Sequence, residues 1–185
     1  MEWLLEKDGL LLRWLMETFS HPVLDEIMIF VSSLGNKGMI WIAIGILFLL
    51  LGVKHKKWRT RGLLVLFSLA ANFLACNVIL KPLVDRTRPY YVLEYTPLIP
   101  PVGDPSFPSG HTAASFAAAT AIYAINKKWG AAAYLFAAVM GFSRLYLGVH
   151  FPSDVLFGAI VGMTAAKIVI CIFWEKRREG MISPK

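Results

Sequence analysis

Three short stretches carry the groups able to do chemistry. The first is Lys81-Pro-Leu-Val-Asp-Arg-Thr-Arg88-Pro89 and the second Pro108-Ser109-Gly110-His111. The third is Ser143-Arg144, five residues, then His150-Phe-Pro-Ser-Asp154. Lys81, Arg88 and Arg144 supply three positive charges and no acceptors, which suits a dianionic phosphoryl group, because arginine donates in a planar fork that matches two phosphate oxygens. Ser109-Gly110-His111 opens an apolar run of helical length, so unpartnered backbone N–H groups and the positive end of the dipole face whatever lies above. Gly110 lets the backbone approach closely. His150 and Asp154 stand four apart, so the carboxylate can hold one imidazole nitrogen and leave the other free to attack. His111 is left to protonate a leaving oxygen and later to deprotonate water. His111, His150 and Asp154 also suit metal ligation, but two-metal phosphatases need several carboxylates. The remaining acids nearby, Asp85, Glu94 and Asp104, are scattered along a loop beside three cations. No metal and no other cofactor is expected.

The elements that must bring these stretches together are membrane helices. Of 185 residues, 57% are hydrophobic and 17% charged, whereas soluble domains average about 45–50% and about 25%. The net charge of +7 raises the question of nucleic acid, but its placement answers it. Lys54, Lys56, Lys57, Arg59 and Arg61 form one cluster, Lys127 and Lys128 a second, Lys176 to Arg178 a third. Basic clusters between apolar runs mark cytoplasmic loops, so the bilayer is the expected partner and nucleic acid is not.

The fold class read from this pattern is all-α, an integral membrane bundle of about six transmembrane helices. Spans are expected at about 23–35, 38–53, 62–80, 109–126, 130–149 and 153–174. Residues 1–20 read as an amphipathic interfacial helix, 21–174 as the membrane domain and 175–185 as a basic cytoplasmic tail. The stretch 21–35 is short and carries Asp25 and Glu26, so it is either a short first span or an interfacial helix that never crosses. With it counted, both termini lie inside, and all three chemical stretches meet the outer surface. Cys76 and Cys171 lie in apolar runs and read as small hydrophobes. The N-terminus lacks the basic start and cleavage site of a signal peptide. Arg86 reads as a surface charge or an outer contact to a lipid headgroup. Tyr90, Tyr91, Tyr95 and Trp129 read as interface anchors. The Pro- and Gly-rich loop 89–108 reads as rigid turns or as a lid.

Together the three stretches resemble the type 2 phosphatidic acid phosphatase superfamily, also called lipid phosphate phosphatases. Its pattern, K-x6-R-P, P-S-G-H and S-R-x5-H-x3-D in that order, is matched at every position. The resemblance implies a metal-independent phosphatase acting through a phosphohistidine. His150 would be the nucleophile, Asp154 its orienting partner and His111 the acid, with Lys81, Arg88, Ser109, Gly110 and Arg144 on the phosphoryl oxygens. Vanadate haloperoxidases are similar in motif, but these spans and this small size do not suit them. The small bacterial members that the chain resembles dephosphorylate undecaprenyl diphosphate, phosphatidylglycerophosphate or related lipids at the outer face of the cytoplasmic membrane. A lipid phosphate or diphosphate is therefore the expected substrate. The rival class is a carrier or flippase that binds such a lipid without cleaving it, which would need no nucleophile–acid pair.

Overall fold

Apolar runs and their caps divide residues 2–178, which the computed structural model describes, into α1 (Glu2–Phe19), α2 (Pro22–Leu34), α3 (Met39–Leu51), α4 (Lys56–Phe73), α5 (Lys81–Val84), α6 (Pro89–Val92), α7 (Gly110–Ile125), α8 (Lys127–Tyr146) and α9 (Pro152–Arg178). No strand occurs among the described residues. Of the expected basic tail, 175–178 continue α9 and 179–185 lie outside the described residues. Local chemistry explains several boundaries. His21 Nδ1 accepts the Val23 N–H at 3.3 Å, and Pro22 gives up an N–H that the first turn leaves unpaired anyway. Asn126 Oδ1 accepts the Lys128 and Trp129 N–H groups at 3.0 and 3.1 Å, so α8 begins at its basic pair.

Helix α7 is the central post, packed against α9, α8 and α4. Its buried face is built mostly of small residues: Thr112, Ala113, Ser115, Ala117, Ala118 and Ala121 are fully enclosed. Gly158 and Gly162 of α9 lie against it, where a Cβ would strike the Ser109 and Ala113 carbonyls. Small residues four apart let backbones touch, the usual device where the hydrophobic effect cannot drive helices together. Gly62 of α4 does the same for α3, facing the Gly45 carbonyl.

Helix directions follow from this packing. The C-terminal continuation of α4, the end of α8 and the starts of α7 and α9 all meet at one end of the bundle, where the three chemical stretches lie. The basic starts of α4 and α8 and the basic end of α9 are therefore at the other. Among the described residues, two stretches are long and apolar enough to cross a bilayer, one within Lys56–Val92 and one at Pro152–Phe173. The pair Pro22–Leu34 and Asn36–Leu51, bent by 44°, gives a third if read as one broken span.

Helix α2 is not a separate antiparallel crossing. Its Asp25 accepts from Tyr146 and its Ser32 from Arg144, so both ends lie against the site end of the bundle. Like α3 it has 13 residues, about 20 Å of helix against a ~30 Å core, so these contacts rather than length set it apart. Helix α1 also lies at the site end, where Arg13 donates to the Leu93 carbonyl at 3.0 Å. It buries Leu12 and Asp8 and leaves Leu10, Leu11 and Trp14 exposed. With 21–35 counted as a span the N-terminus would lie beside the basic clusters; here α1 lies at the site end.

Candidate active site

An underwound stretch of backbone delivers Lys81. Beyond Phe73 the α4 helix continues as a π-helical segment, Leu74–Leu80, closed by the Lys81 N–H donating to the Cys76 carbonyl five residues back. Such bulges recur at functional sites because they re-aim the next side chain. Buried Cys76 holds the segment against the second stretch through its thiol, which donates to the Pro108 carbonyl at 3.8 Å. After α5 the chain turns at Asp85 in left-handed backbone (φ 43°), and Arg86 and Arg88 then reach back into the bundle.

Lys81 and Arg88 are 6% and 3% exposed, and both are engaged by one carboxylate. Asp104 pairs with Lys81 Nζ through Oδ2 and accepts from Arg88 Nη2 at Oδ1 at 2.6 Å, and its carbonyl accepts from Arg88 Nε at 2.8 Å. Burial would raise the Asp104 pKa, but hydrogen bonds and charge from Lys81 and Arg88 outweigh it and hold the group at about 2. The cationic pocket thus carries a resident anion. In the sequence Asp104 reads only as one of several scattered loop acids.

The third stretch places His150 between these cations and a buried carboxylate. Gly148, at φ 68°, turns the chain out of α8, and its carbonyl accepts the Tyr95 hydroxyl at 2.6 Å. His150 is 2% exposed, with Nδ1 3.6 Å from Asp154 Oδ2, just beyond hydrogen-bonding length. Ser106 fills that gap: its Oγ donates to Asp154 Oδ2 at 2.5 Å and lies 3.5 Å from His150 Nδ1. Arg88 Nη1 donates to the Val149 carbonyl at 2.8 Å and approaches His150 Nε2 at 3.5 Å. Burial, with the charges of Arg88 and Arg144, holds the His150 pKa below the ordinary histidine value, against the opposing pull of Asp154. Asp154 is fully buried and also accepts the Phe151 N–H at 2.9 Å and Arg86 Nη1 at 2.6 Å. Arg86 is therefore an internal ion-pair residue rather than the surface charge its sequence context suggests.

His111 and Arg144 close the site from α7 and α8. His111 Nε2–H donates to Asn36 Oδ1 at 3.2 Å. Arg144, 2% exposed, donates to Ser32 Oγ through Nη1, while its Nε has no partner among the described residues. Ser109 is fully buried, its N–H donates to the Asp154 carbonyl at 3.0 Å, and its Oγ accepts from Thr112. The first-turn N–H groups of α7, from Gly110 on, have no intrahelical acceptor.

Lys81, Arg88, Gly110, His111, Arg144 and His150 line one cavity of about 1050 Å³, while Ser109 and Asp154 sit behind its wall. The cavity continues below the cations along apolar side chains, Ile42, Leu66, Leu69, Phe73 and Leu74. Among the described residues no three His, Cys, Asp or Glu side chains gather as a metal site. A cationic, partly apolar pocket with two imidazoles suits an amphiphilic phosphate ester.

The family model described as PAP2 superfamily matches residues 61–178. The chain belongs to the PAP2 superfamily. Among PAP2 relatives, it is 32% identical over 145 residues to the undecaprenyl-diphosphatase BcrC of Bacillus subtilis, covering 77% of this chain and 72% of that one. The matches to two further curated relatives cover 64% and 66% of their lengths. Of solved structures, LpxE of Aquifex aeolicus superposes with a TM-score of 0.73 at 31% identity, over 86% of this chain and 92% of that one. The transmembrane PAP2 type phosphatidylglycerolphosphate phosphatase of Bacillus subtilis gives 0.76 at 25% identity, over 95% and 88%.

In this PAP2 chain, Asp104→Asn removes the resident anion while keeping its shape. Inhibition by vanadate or inorganic phosphate is expected to strengthen roughly tenfold, equivalent to ~1.4 kcal/mol. Unchanged inhibition constants would mean that Asp104 only braces Lys81 and Arg88.

Proposed function

We propose that this PAP2 hydrolase removes the terminal phosphate from a membrane lipid phosphate or diphosphate, of the undecaprenyl diphosphate, phosphatidylglycerophosphate or phosphatidic acid type. The reaction runs through a phosphohistidine on His150. The observation that carries this reading is the setting of that imidazole. Its Nδ1 faces Ser106 and Asp154, and its Nε2 lies on the cavity side near Arg88. Arginine can only donate, so the nitrogen that it faces is the one bearing the lone pair.

In the first step Nε2 attacks phosphorus in line and the P–O bond to the lipid breaks, with His111 giving a proton to the departing oxygen. In the second, His111 takes a proton from water, which breaks the P–N bond and releases inorganic phosphate. Lys81, Arg88, Arg144 and the first-turn N–H groups from Gly110 stabilise charge on the equatorial oxygens, and substrate displaces Asp104 from the first two. Ser109 acts from behind, fixing the start of α7 on Asp154. The apolar wall below supports a hydrocarbon tail that enters from the bilayer.

The basic clusters at the opposite end support five crossings, α3, α4, α7, α8 and α9. The site, α1 and α2 then lie at the extracytoplasmic face of a cytoplasmic membrane. The test is phosphate release by detergent-purified protein from undecaprenyl diphosphate, phosphatidylglycerophosphate, phosphatidic acid and diacylglycerol diphosphate at equal surface density, in chelator. Release from at least one, unaffected by chelator and blocked by vanadate, is expected. Lipid binding with no release from any of the four would instead mark a carrier.

A further inference from the structure

One charge that the family pattern does not name, Arg86, reaches the carboxylate behind His150, and a second, Asp8, braces it. Arg86 Nη1 donates to Asp154 Oδ1 at 2.6 Å and to Ser153 Oγ at 2.7 Å, and its Nη2 donates to Asp8 Oδ2 at 2.7 Å. Asp8 also accepts the Ser153 N–H at 3.0 Å and the Ser153 hydroxyl. The guanidinium lies 4.1 Å over the Phe151 ring centroid, so it is held at both terminal nitrogens and over one face. The side chains of Asp8 and Arg86 are only 7% and 15% exposed, which weakens solvent screening of the pair. Asp8 belongs to α1, outside the residues 61–178 matched to the family.

We infer that Asp8 and Arg86 are positioning residues: α1 holds Arg86 against Asp154, and the two charges set, with opposite signs, the pH at which His150 is free to attack. The inference rests on the phosphohistidine reading above. Arg86 disfavours an imidazolium nearby, and Asp8 offsets Arg86. The other charged or titratable groups around His150 are Asp154 on α9, Arg144 on α8, His111 on α7, Lys81 on α5, and Arg88 and Asp104 on the connecting segments. None of these is itself changed when Asp8 or Arg86 is exchanged.

The readout is the acid limb of the kcat/KM profile for phosphate release, using the panel lipid that wild type turns over fastest. Asp8→Asn is expected to move the limb to lower pH and Arg86→Gln to higher pH, each by about half a pH unit. The double variant should return toward wild type. Arg86→Lys, which keeps the charge but not the fork, should leave the limb in place and lower kcat more than it changes KM. If Asp8→Asn does not fold, the contrast between Arg86→Gln and Arg86→Lys decides alone. Shifts of the same sign, or an unmoved limb in Arg86→Gln, overturn the inference. A wild-type protein that releases no phosphate from any panel lipid overturns the functional reading instead.

Discussion

Alanine at position 150 is expected to lower phosphate release by about four to six orders of magnitude, the loss seen when a covalent nucleophile is removed from a preorganised site. The side chain is 2% exposed, and its neighbours are not placed to replace it: Arg88 only donates, while Ser106 and Asp154 lie on its Nδ1 side, bonded to each other. No neighbour can take over the role, because His111 is held by Asn36 on another wall. The measurement is single-turnover phosphate release from the purified variant, with binding of the same lipid followed in parallel. Lipid binding should persist, since Lys81, Arg88 and Arg144 are untouched. Turnover within tenfold of wild type would refute the assigned nucleophile.

The second large effect concerns His111. His111→Ala is expected to cost about 10²–10⁴-fold with a lipid leaving group, the range for loss of a general acid. The loss should depend on the leaving group. An aryl phosphate departs without needing a proton, so its first step is spared and the later attack of water becomes slow. A burst of phenol followed by slow turnover is therefore expected in the variant. An equal loss for lipid and aryl esters, with no burst, would assign His111 to binding rather than proton transfer. The Asn36 contact gives a companion readout, because Asn36→Ala loosens the ring without removing it and should reproduce a fraction of the loss.

What could be read before any coordinates follows from chemistry. Lys81, Arg88, His111, Arg144, His150 and Asp154 stand out because ionisable side chains near membrane span ends are costly and because their spacing is specific. The all-helical class follows from long apolar runs. Partners contributed by distant segments could not be read. Asp8 meets Ser153 across 145 positions and Ser32 meets Arg144 across 112, and nothing in a short polar residue announces such a contact. Asp104 and Ser106 sit in a Pro- and Gly-rich loop that reads as rigid turns, yet one occupies the cationic pocket and the other bridges His150 to Asp154. Helix α2 was ambiguous for a physical reason, since its length and its Asp25 and Glu26 fit neither a full span nor a plain loop. The start of α8 was available in principle from Asn126, a strong N-cap residue beside Lys127.

The π-helical segment Leu74–Leu80 makes winding, more than residue identity, the protected property of this wall. Each residue of a regular helix advances about 100° and 1.5 Å. Rewinding these seven residues as ordinary α-helix, with none lost, would swing the ammonium of Lys81 about a quarter-turn off the cavity, even with every side chain retained. Exchanges among aliphatic residues at Leu74, Val78 and Ile79, which are exposed, leave that phase intact. Across natural variants of this protein, aliphatic exchanges should therefore gather in this stretch.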